Sequence, residues 1–593
     1  MTYPIVLLSA GTGGWKERIG NETVMTDNDY QPFMKHAPNS NPDWRNTMRK
    51  VVVLIALVFI AVSVEAGRFT KAIEPVPGRY LVLFTNDVSP HEVPLLANAM
   101  AREHGGKVIA VMTAAANLFA VEMSEGRARG LANHPLVELV EEAAVVRIAT
   151  QQTFGQYTSN QTPTPHGTNR WHLDRIDQEQ PEPNGVHNYC EKASDVTVYV
   201  PDFAIWRDHQ EFDNRPARIR DGVSKAHDEA TVSAFARPCN DENLQEFYWG
   251  ENQPYGHGTA VASVLGGKTI GVAKDVNIVP LRFHECPAVN DPVADTVRLA
   301  WALSWIKGWR CSDPLRAGAP CGSAVSAEDG NPDRARSRFW NRSLNKPMLI
   351  SMSVYTLTSD SNATAIESVI HGLIQDDPTN DWRGITVIAA AGNQRTNNNP
   401  TTPARMAYRN QPHHLPWLQN RRVISVGGMG QKYVGMELRD VRWACPMYSQ
   451  GNLIGFNSAG QAQYATATEP CWEDSGAIYG SNWGNTVDIY APAHNVSSAS
   501  LRGIAEYRNL HQSRSGTSFA APIVAGMAAR ILQVEQNLTP DQVWERLRTQ
   551  AVRGFYFDDQ AIPPGIPHVD ADPNGNNLLV NRTGWASCAP EYP

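Results

Sequence analysis

Gly516-Thr517-Ser518-Phe519-Ala520-Ala521-Pro522, running into the small apolar stretch Ile523 to Leu532, decides how the rest of the chain is read. Gly516 permits a tight turn and Ser518 stands where a helix begins, so its hydroxyl faces the helix's unpaired amide hydrogens and positive dipole end. An oxyanion formed there is stabilised. Pro522 is tolerated only in the first turn of such a helix, which predicts a helix start close to Ser518. Serine is also a preferred N-cap, so this stretch alone does not separate a nucleophile from a cap. Its company elsewhere in the chain does.

A nucleophilic serine needs a base, and the base needs a carboxylate to orient it. His257 opens Gly256-His257-Gly258-Thr259-Ala260-Val261-Ala262-Ser263, a run of small and β-branched residues that predicts a buried helix with the histidine at its start. The second H-G-T, at His166-Gly167-Thr168, has no helical pattern behind it and reads as a loop. Asp202 follows Val196-Thr197-Val198-Tyr199-Val200, a pattern of a buried parallel strand. Carboxyl ends of parallel strands are where open α/β sheets place their ligand sites.

Asp202, His257 and Ser518 in that order, together with Trp171-His172-Leu173-Asp174-Arg175-Ile176-Asp177-Gln178 and His209-Gln210-Glu211-Phe212, resemble the subtilisin-like serine proteases, and within them the proteinase K branch. The resemblance runs from about Pro77 to about Arg548. It implies a doubly wound, mostly parallel α/β fold, with Asp202 as orienter, His257 as general base and acid, and Ser518 as nucleophile. Ile385 to Ala391 is a further buried-strand run ending in Gly392-Asn393. By the same resemblance, the Asn393 amide donates to the oxyanion together with the Ser518 N–H. Met348 to Tyr355 resembles the strand whose exposed edge binds an extended substrate, which assigns Ser351, Met352 and Ser353 to substrate binding.

Three positions depart from the family pattern. Phe203-Ala204 follows Asp202 where Ser or Thr and then Gly are usual, Ser353-Val354-Tyr355 lacks a glycine pair, and Ala491-Pro492-Ala493 stands for Ala-Pro-Gly. The first of these motivates the rival reading, a catalytically silent binding protein that keeps the fold. An esterase is a third reading, opposed by the lack of G-x-S-x-G.

The 593 residues are 42% hydrophobic and carry a net charge of −8, which gives no basic footprint for nucleic acid or an anionic membrane. All eight cysteines (Cys190, Cys239, Cys286, Cys311, Cys321, Cys445, Cys471 and Cys588) follow residue 189. Their even number points to disulfides and an oxidising compartment, with the pairing open. No C-x-x-C or H-E-x-x-H occurs, so no catalytic metal is expected. Structural calcium is compatible with the family, without an assignable ligand set. Asn341, Asn362, Asn495, Asn537 and Asn581 lie in glycosylation sequons.

Met48-Arg49-Lys50, the apolar run Val51 to Val64 and the small-residue exit at Ala66-Gly67 have the layout of a secretory signal. The apolar run is shorter than the roughly 20 residues that span a bilayer, so a membrane anchor is not expected. Residues 1–47 then read as a patternless extension upstream of the natural start. Residues 67–149 predict a small α+β unit, with a strand at Gly78 to Phe84, a helix at Glu92 to Glu103, a strand at Phe119 to Met123, and strand and helix material between Val137 and Val146. It resembles the inhibitory, folding-assisting propeptide of the family. Thr150 to Arg170, rich in Gln, Thr, Asn, Pro and Gly, reads as a cleavable linker, with self-cleavage expected between Ala149 and Gly167. Residues 171–593 form the peptidase domain, with insertions at Arg207–Gly250, Ser312–Asn345 and Met429–Gly480 and a tail from Phe555. Arg298 to Trp309 predicts a surface helix. The expected protein is a monomeric, secreted serine endopeptidase whose partners are peptide substrates and its own propeptide.

Overall fold

A computed structural model of the chain describes residues 7–11, 14–19, 23–25, 67–148, 170–180, 186–189, 191–202, 205, 209–212, 256–283, 294–308, 347–357, 364–377, 382–396, 401–407, 423–434, 437–442, 453–456, 462–464, 480–484, 486–499, 511–553 and 578–579. Two compact units result, Met1–Glu65 and Ala66–Pro593. In the first, β1 (Leu7–Gly11), β2 (Gly14–Ile19) and β3 (Thr23–Met25) pair as an antiparallel meander. Three short strands therefore lie within the stretch read from the sequence as a patternless extension. The signal-like segment, the linker, all eight cysteines, Phe203-Ala204 and most of the three insertions lie outside the described residues.

The second unit opens with a five-stranded sheet. Its strands are β4 (Arg68–Thr70), β5 (Pro75–Phe84), β6 (Lys107–Met112), β7 (Leu118–Glu122) and β8 (Val137–Ala144), in the order β4-β8-β5-β7-β6. Helices α1 (Val93–Glu103) and α2 (Glu125–Leu131) complete it. Strand alternation sends Tyr80, Val82 and Phe84 into one core with Val93, Ala97 and Leu131, while Leu81 and Leu83 face the opposite side. The α+β reading holds; β6 and α2 are additions to it, and the stretch from Val137 is strand.

The main sheet uses β10 (Thr197–Asp202), β11 (Asn277–Arg282), β12 (Met348–Met352), β14 (Thr386–Ala390), β16 (Val423–Val434) and β20 (Ile489–Pro492). These run parallel in the order β11-β10-β12-β14-β16-β20. At the far side β24 (Leu578–Leu579) pairs parallel with β20 and antiparallel with β23 (Val552–Arg553), and β17 (Glu437–Arg442) folds back on β16. Three small pairings lie outside this sheet. They are β9 (Arg147–Ile148) and β15 (Thr401–Thr402) on either side of β13 (Val354–Leu357), β18 (Leu453–Phe456) with β19 (Ala462–Tyr464), and β21 (Val496–Ala499) with β22 (His511–Arg514).

Both faces of the main sheet are covered, so its strands are apolar on both sides. Val198, Val200, Ile388, Ala390, Ile424 and Val426 face α4 (His257–Gly266) and α7 (Thr517–Val534). Tyr199, Ile350, Met352, Val387 and Ala389 face α5 (Thr296–Gly308) and α6 (Ala365–Ile374). This is the doubly wound α/β fold the sequence implied. Helix α5 departs from expectation. It is buried on both faces, because the five-stranded sheet lies over it and adds Leu81, Ile109 and Leu139 to the same core. Helix α7 is long and apolar enough to cross a membrane, but it is buried at the centre of the domain. Helix α3 (Trp171–Asp174) is buried, and α8 (Pro540–Gln550) adds Val543, Trp544 and Leu547 to the core on the α7 side.

Candidate active site

The sheet changes direction at β10. The chain leaves it for β11 on one side and then returns to β12 on the other, a switch point at whose strand carboxyl ends such sheets place their ligand sites. Asp202 is the last residue of β10, Ser353 follows β12, and Gly392-Asn393 follow β14. Helices α4 and α7 direct their N-termini to the same place, bringing His257 and Ser518. All three of Asp202, His257 and Ser518 are completely buried.

His257 Nδ1 lies 2.8 Å from Asp202 Oδ1 and 2.9 Å from Oδ2. A carboxylate only accepts, so in the neutral ring Nδ1 carries the proton and Nε2 keeps its lone pair. Nε2 is buried with no hydrogen-bond partner. The imidazole is thereby oriented from one side and left available on the other. The ring of Phe519, next to the serine, lies 6.1 Å from the imidazole centre and closes the apolar wall of the site.

Gly516 has φ +143°, a conformation that a side chain would disfavour, and it turns the chain into α7. Pro522 corrects the sequence argument: it lies in the second turn of α7, beyond the position where its missing N–H is harmless. The carbonyl that a residue there would normally bond is that of Ser518, four residues back. That carbonyl accepts instead from Ser353 Oγ at 2.8 Å, and Ser518 Oγ donates to the Ser353 carbonyl at 3.1 Å. The proline thus exchanges one helix bond for a link between Ser518 and the end of β12. In this resting geometry the hydroxyl is turned to Ser353 and not to His257.

Asn393 is fixed by Thr517. The Thr517 N–H (3.0 Å) and its hydroxyl (2.8 Å) both donate to Asn393 Oδ1. A backbone N–H can only donate, so the amide orientation is settled and Nδ2 is left as a free donor. Gly392, at φ +94°, donates its N–H to Thr517 Oγ1 at 3.1 Å, and Asn482 N–H holds the Gly392 carbonyl. Ser518, as second residue of α7, has an N–H with no carbonyl one turn back in the helix. Thr517 was not singled out from the sequence, although it stands inside the G-T-S motif.

The assignment of Ser351, Met352 and Ser353 to an exposed edge needs correction. Ser351 and Met352 are fully buried in the sheet interior, paired to Ile388 and Ala389 of β14, and Ser353 is buried against Ser518. At Ser351 and Met352 the pairing among the described residues is to β14 alone, since β10 accompanies β12 only as far as Ile350. The edge begins one residue later, at β13, and it is occupied: Val354 pairs with Ile148 and Tyr355 with Arg147 of β9, antiparallel. Among the described residues no cluster of His, Cys, Asp or Glu could hold a metal ion. Trp171 Nε1 donates to the carbonyls of His494 and Asn495, both at 3.2 Å, which anchors the segment after the linker.

A buried carboxylate–imidazole pair, a serine at a helix start and an amide donor are thus gathered at the carboxyl ends of the strands of a doubly wound fold. A family model described as the subtilase family matches residues 194–585, so the chain belongs to the subtilases and is a serine-type endopeptidase. It is 26% identical over 491 residues to an extracellular serine proteinase of Thermus sp. (strain Rt41A), covering 80% of this chain and 84% of that one. It is 22% identical over 526 residues to a cuticle-degrading serine protease of Arthrobotrys oligospora, covering 85% and 94% respectively. A solved cold adapted subtilisin-like serine proteinase aligns to 71% of this chain and 98% of its own at 22% identity, with a TM-score of 0.40.

Proposed function

We propose that the chain is a secreted, self-maturing endopeptidase of the proteinase K branch, in which Ser518, His257 and Asp202 carry the chemistry. The observation that carries this reading is the buried Asp202–His257 pair, with the outer imidazole nitrogen unpartnered beside the start of α7. Ser518 rotates from the Ser353 carbonyl to His257, which takes its proton as Oγ attacks the scissile carbonyl. Asp202 holds the imidazole and the cation that forms on it. Asn393 Nδ2 and the Ser518 N–H receive the oxyanion. His257 then protonates the leaving amine, and water hydrolyses the acyl-enzyme. None of these steps calls on a metal; calcium, where bound, is structural.

In the same reading residues 67–149 are the propeptide. Its β9 lies on the β13 edge as an extended substrate would, and the five-stranded sheet rests on α5 and α6. Residues 48–66 are the signal and 150–170 the processed linker. The peptide backbone is bound by edge pairing, which suits broad specificity. The extracellular placement is supported by relatives named extracellular proteinases.

The test is expression of the unaltered chain, Ser518→Ala and Asp202→Asn without added protease, read by intact mass and by hydrolysis of a protein substrate. Ser518→Ala retains residues 67–149 and is inactive. Asp202→Asn lowers turnover by about 10⁴-fold, because the imidazole then favours the wrong tautomer. Equal processing of all three chains would refute the assignment.

A further inference from the structure

Asn393 has to present Nδ2 to the oxyanion from a stretch of chain that no regular element holds. After β14 ends at Ala390, residues 391–396 contain neither helix nor strand, and Gly392 at φ +94° and Arg395 at φ +53° take left-handed backbone conformations. For a residue other than glycine that conformation is strained, so the loop persists only where other groups fix it. Thr517 fixes the Asn393 side chain. The backbone that carries this side chain is fixed by Asn482.

Asn482 is completely buried and grips both peptide planes that lead into Asn393. Its Nδ2 donates to the Ala391 carbonyl at 2.7 Å, and its backbone N–H donates to the Gly392 carbonyl at 3.0 Å. The Ala391–Gly392 peptide is therefore held through its oxygen by Asn482 and through its N–H by Thr517 Oγ1, at 3.1 Å. Asn482 Nδ2 also donates to Gln394 Oε1 at 2.8 Å, while Oδ1 accepts from the Thr396 N–H at 3.0 Å and from the Thr396 hydroxyl at 3.2 Å. One side chain thus ties residues on both sides of Asn393 and uses both its donors and both its acceptor positions. The brace is anchored to the sheet, because Ser481 Oγ accepts the Gly428 N–H of β16 at 2.8 Å and donates to the Asn482 carbonyl at 2.8 Å. Gly480 completes it, its N–H donating to the Asn393 carbonyl at 3.1 Å and its carbonyl accepting the Arg395 N–H at 3.0 Å.

We propose that Asn482 is a positioning residue for the oxyanion donor, setting where Asn393 Nδ2 points without itself touching the substrate. The inference rests on the protease reading above and adds to it a residue that acts through Asn393. A group aimed at a transition state must be held to within about 0.5 Å, and misplacement by about 1 Å costs on the order of 10²-fold in rate. Truncating Asn482 should therefore lower kcat and leave KM nearly unchanged, since the oxyanion bond is made only as the reaction proceeds.

The experiment is a double-mutant cycle on the full chain: unaltered, Asn393→Ala, Asn482→Ala and the pair. Hydrolysis of a peptide p-nitroanilide is normalised to the Ser518 sites that a fluorophosphonate labels at completion, so that differences in maturation drop out. Asn393→Ala is expected to lower kcat by about 10²- to 10³-fold. Asn482→Ala is expected to lower it at least about tenfold with KM within about threefold, and the pair to fall within about twofold of Asn393→Ala alone. An unchanged kcat in Asn482→Ala, or an equal fall in both backgrounds, overturns the inference and leaves the protease reading standing. Full turnover in Asn393→Ala overturns the oxyanion assignment and the inference together, and a Ser518 that takes no label overturns the protease reading itself. Should Asn482→Ala fail to fold, Thr396→Val replaces it in the cycle. That variant removes one of the two bonds to Asn482 Oδ1, and a fall in kcat of about two- to fivefold is expected, absent beside Asn393→Ala; no fall, or the same fall in both backgrounds, overturns the inference.

Discussion

The two covers of the main sheet are built from different materials. On the α4 and α7 side the contact is close and apolar, with Ala520, Ala521, Ala525, Ala528 and Ala529 buried along α7. At Gly526 an added Cβ would come within 2.6 Å of Val272. On the α5 and α6 side the outer cover is the five-stranded sheet, and buried charge accompanies its apolar contact. Arg79 reaches Asp295 at 2.8 Å, where Arg298 also binds at 2.7 Å, and Glu141 accepts the Ala365 N–H at 2.6 Å. A layer that never leaves can be sealed by backbones in near contact. Under the proposed maturation the cover separates, and such polar groups are ones that water can satisfy again on both surfaces. Buried ion pairs contribute little net stability because of desolvation, so apolar area holds the cover and the polar pairs fix where it sits.

The sharpest way to break this contrast is to injure each side once. Phe519 is fully buried beside His257. In a Ser518→Ala background, Phe519→Ala should lower unfolding stability by about 3–5 kcal/mol, from lost transfer energy and the cavity left behind. Arg79→Met should cost about 1–2 kcal/mol, since Asp295 keeps Arg298 and the removed charge is only partly buried. Chemical denaturation measures both. Equal losses would mean that the two covers are energetically alike.

How far these layers could be read from the sequence depends on which interactions are local. The strands before Asp202 and Asn393, the helix after His257 and the turn at Gly516 were legible, because β-branched runs and glycines act within a few residues. The Ser353–Ser518 link was not, since it joins residues far apart in sequence and depends on a proline whose helical position was misjudged. The burial of α5 was misread for a related reason. Its apolar outer face marked a second covering layer, but periodicity cannot say what supplies one. Likewise Ser351 and Met352 carry a strand pattern that is the same whether the strand is at an edge or in the interior.

Gly372 sharpens the comparison at a single atom. It lies inside α6, and a Cβ there would come within 1.7 Å of the Ala115 carbonyl oxygen in the five-stranded unit. Gly372→Ala should strengthen α6 itself by up to about 1 kcal/mol, because alanine is the better helix former. It should weaken the seating of the cover by about 1–3 kcal/mol through overpacking. Hydrogen exchange on the full Ser518→Ala chain distinguishes the two effects. Faster exchange across Lys107–Met112 and Leu118–Glu122, with α6 protection kept, supports a separable cover; loss of protection in both would show one indivisible layer.

A comparable effect concerns pH. Burial pushes the Glu141 carboxyl up to about 7, against the Ala365 N–H and Arg405 and Arg68, which favour its ionised form; nearby Glu367 adds to the rise. Glu367 itself stays below its usual value despite burial, since Arg405, the Thr402 hydroxyl and the Thr364 N–H support its charge. Glu141 is thus the acid of this interface that binds a proton more readily when covered than when exposed. Its stabilising contribution is complete below the ordinary carboxyl range and is lost as pH rises to about 7, with no further loss above. The cover should accordingly loosen toward neutral pH, by on the order of tenfold to a hundredfold in the equilibrium between seated and released forms. Glu141→Gln keeps an acceptor for Ala365 and removes the titration. In the Ser518→Ala background its Tm should match that of Glu141 near pH 4.5 and exceed it near pH 7.5, the gap opening between these limits. A constant gap would mean that Glu141 stays ionised when covered, and that the polar contacts set position alone.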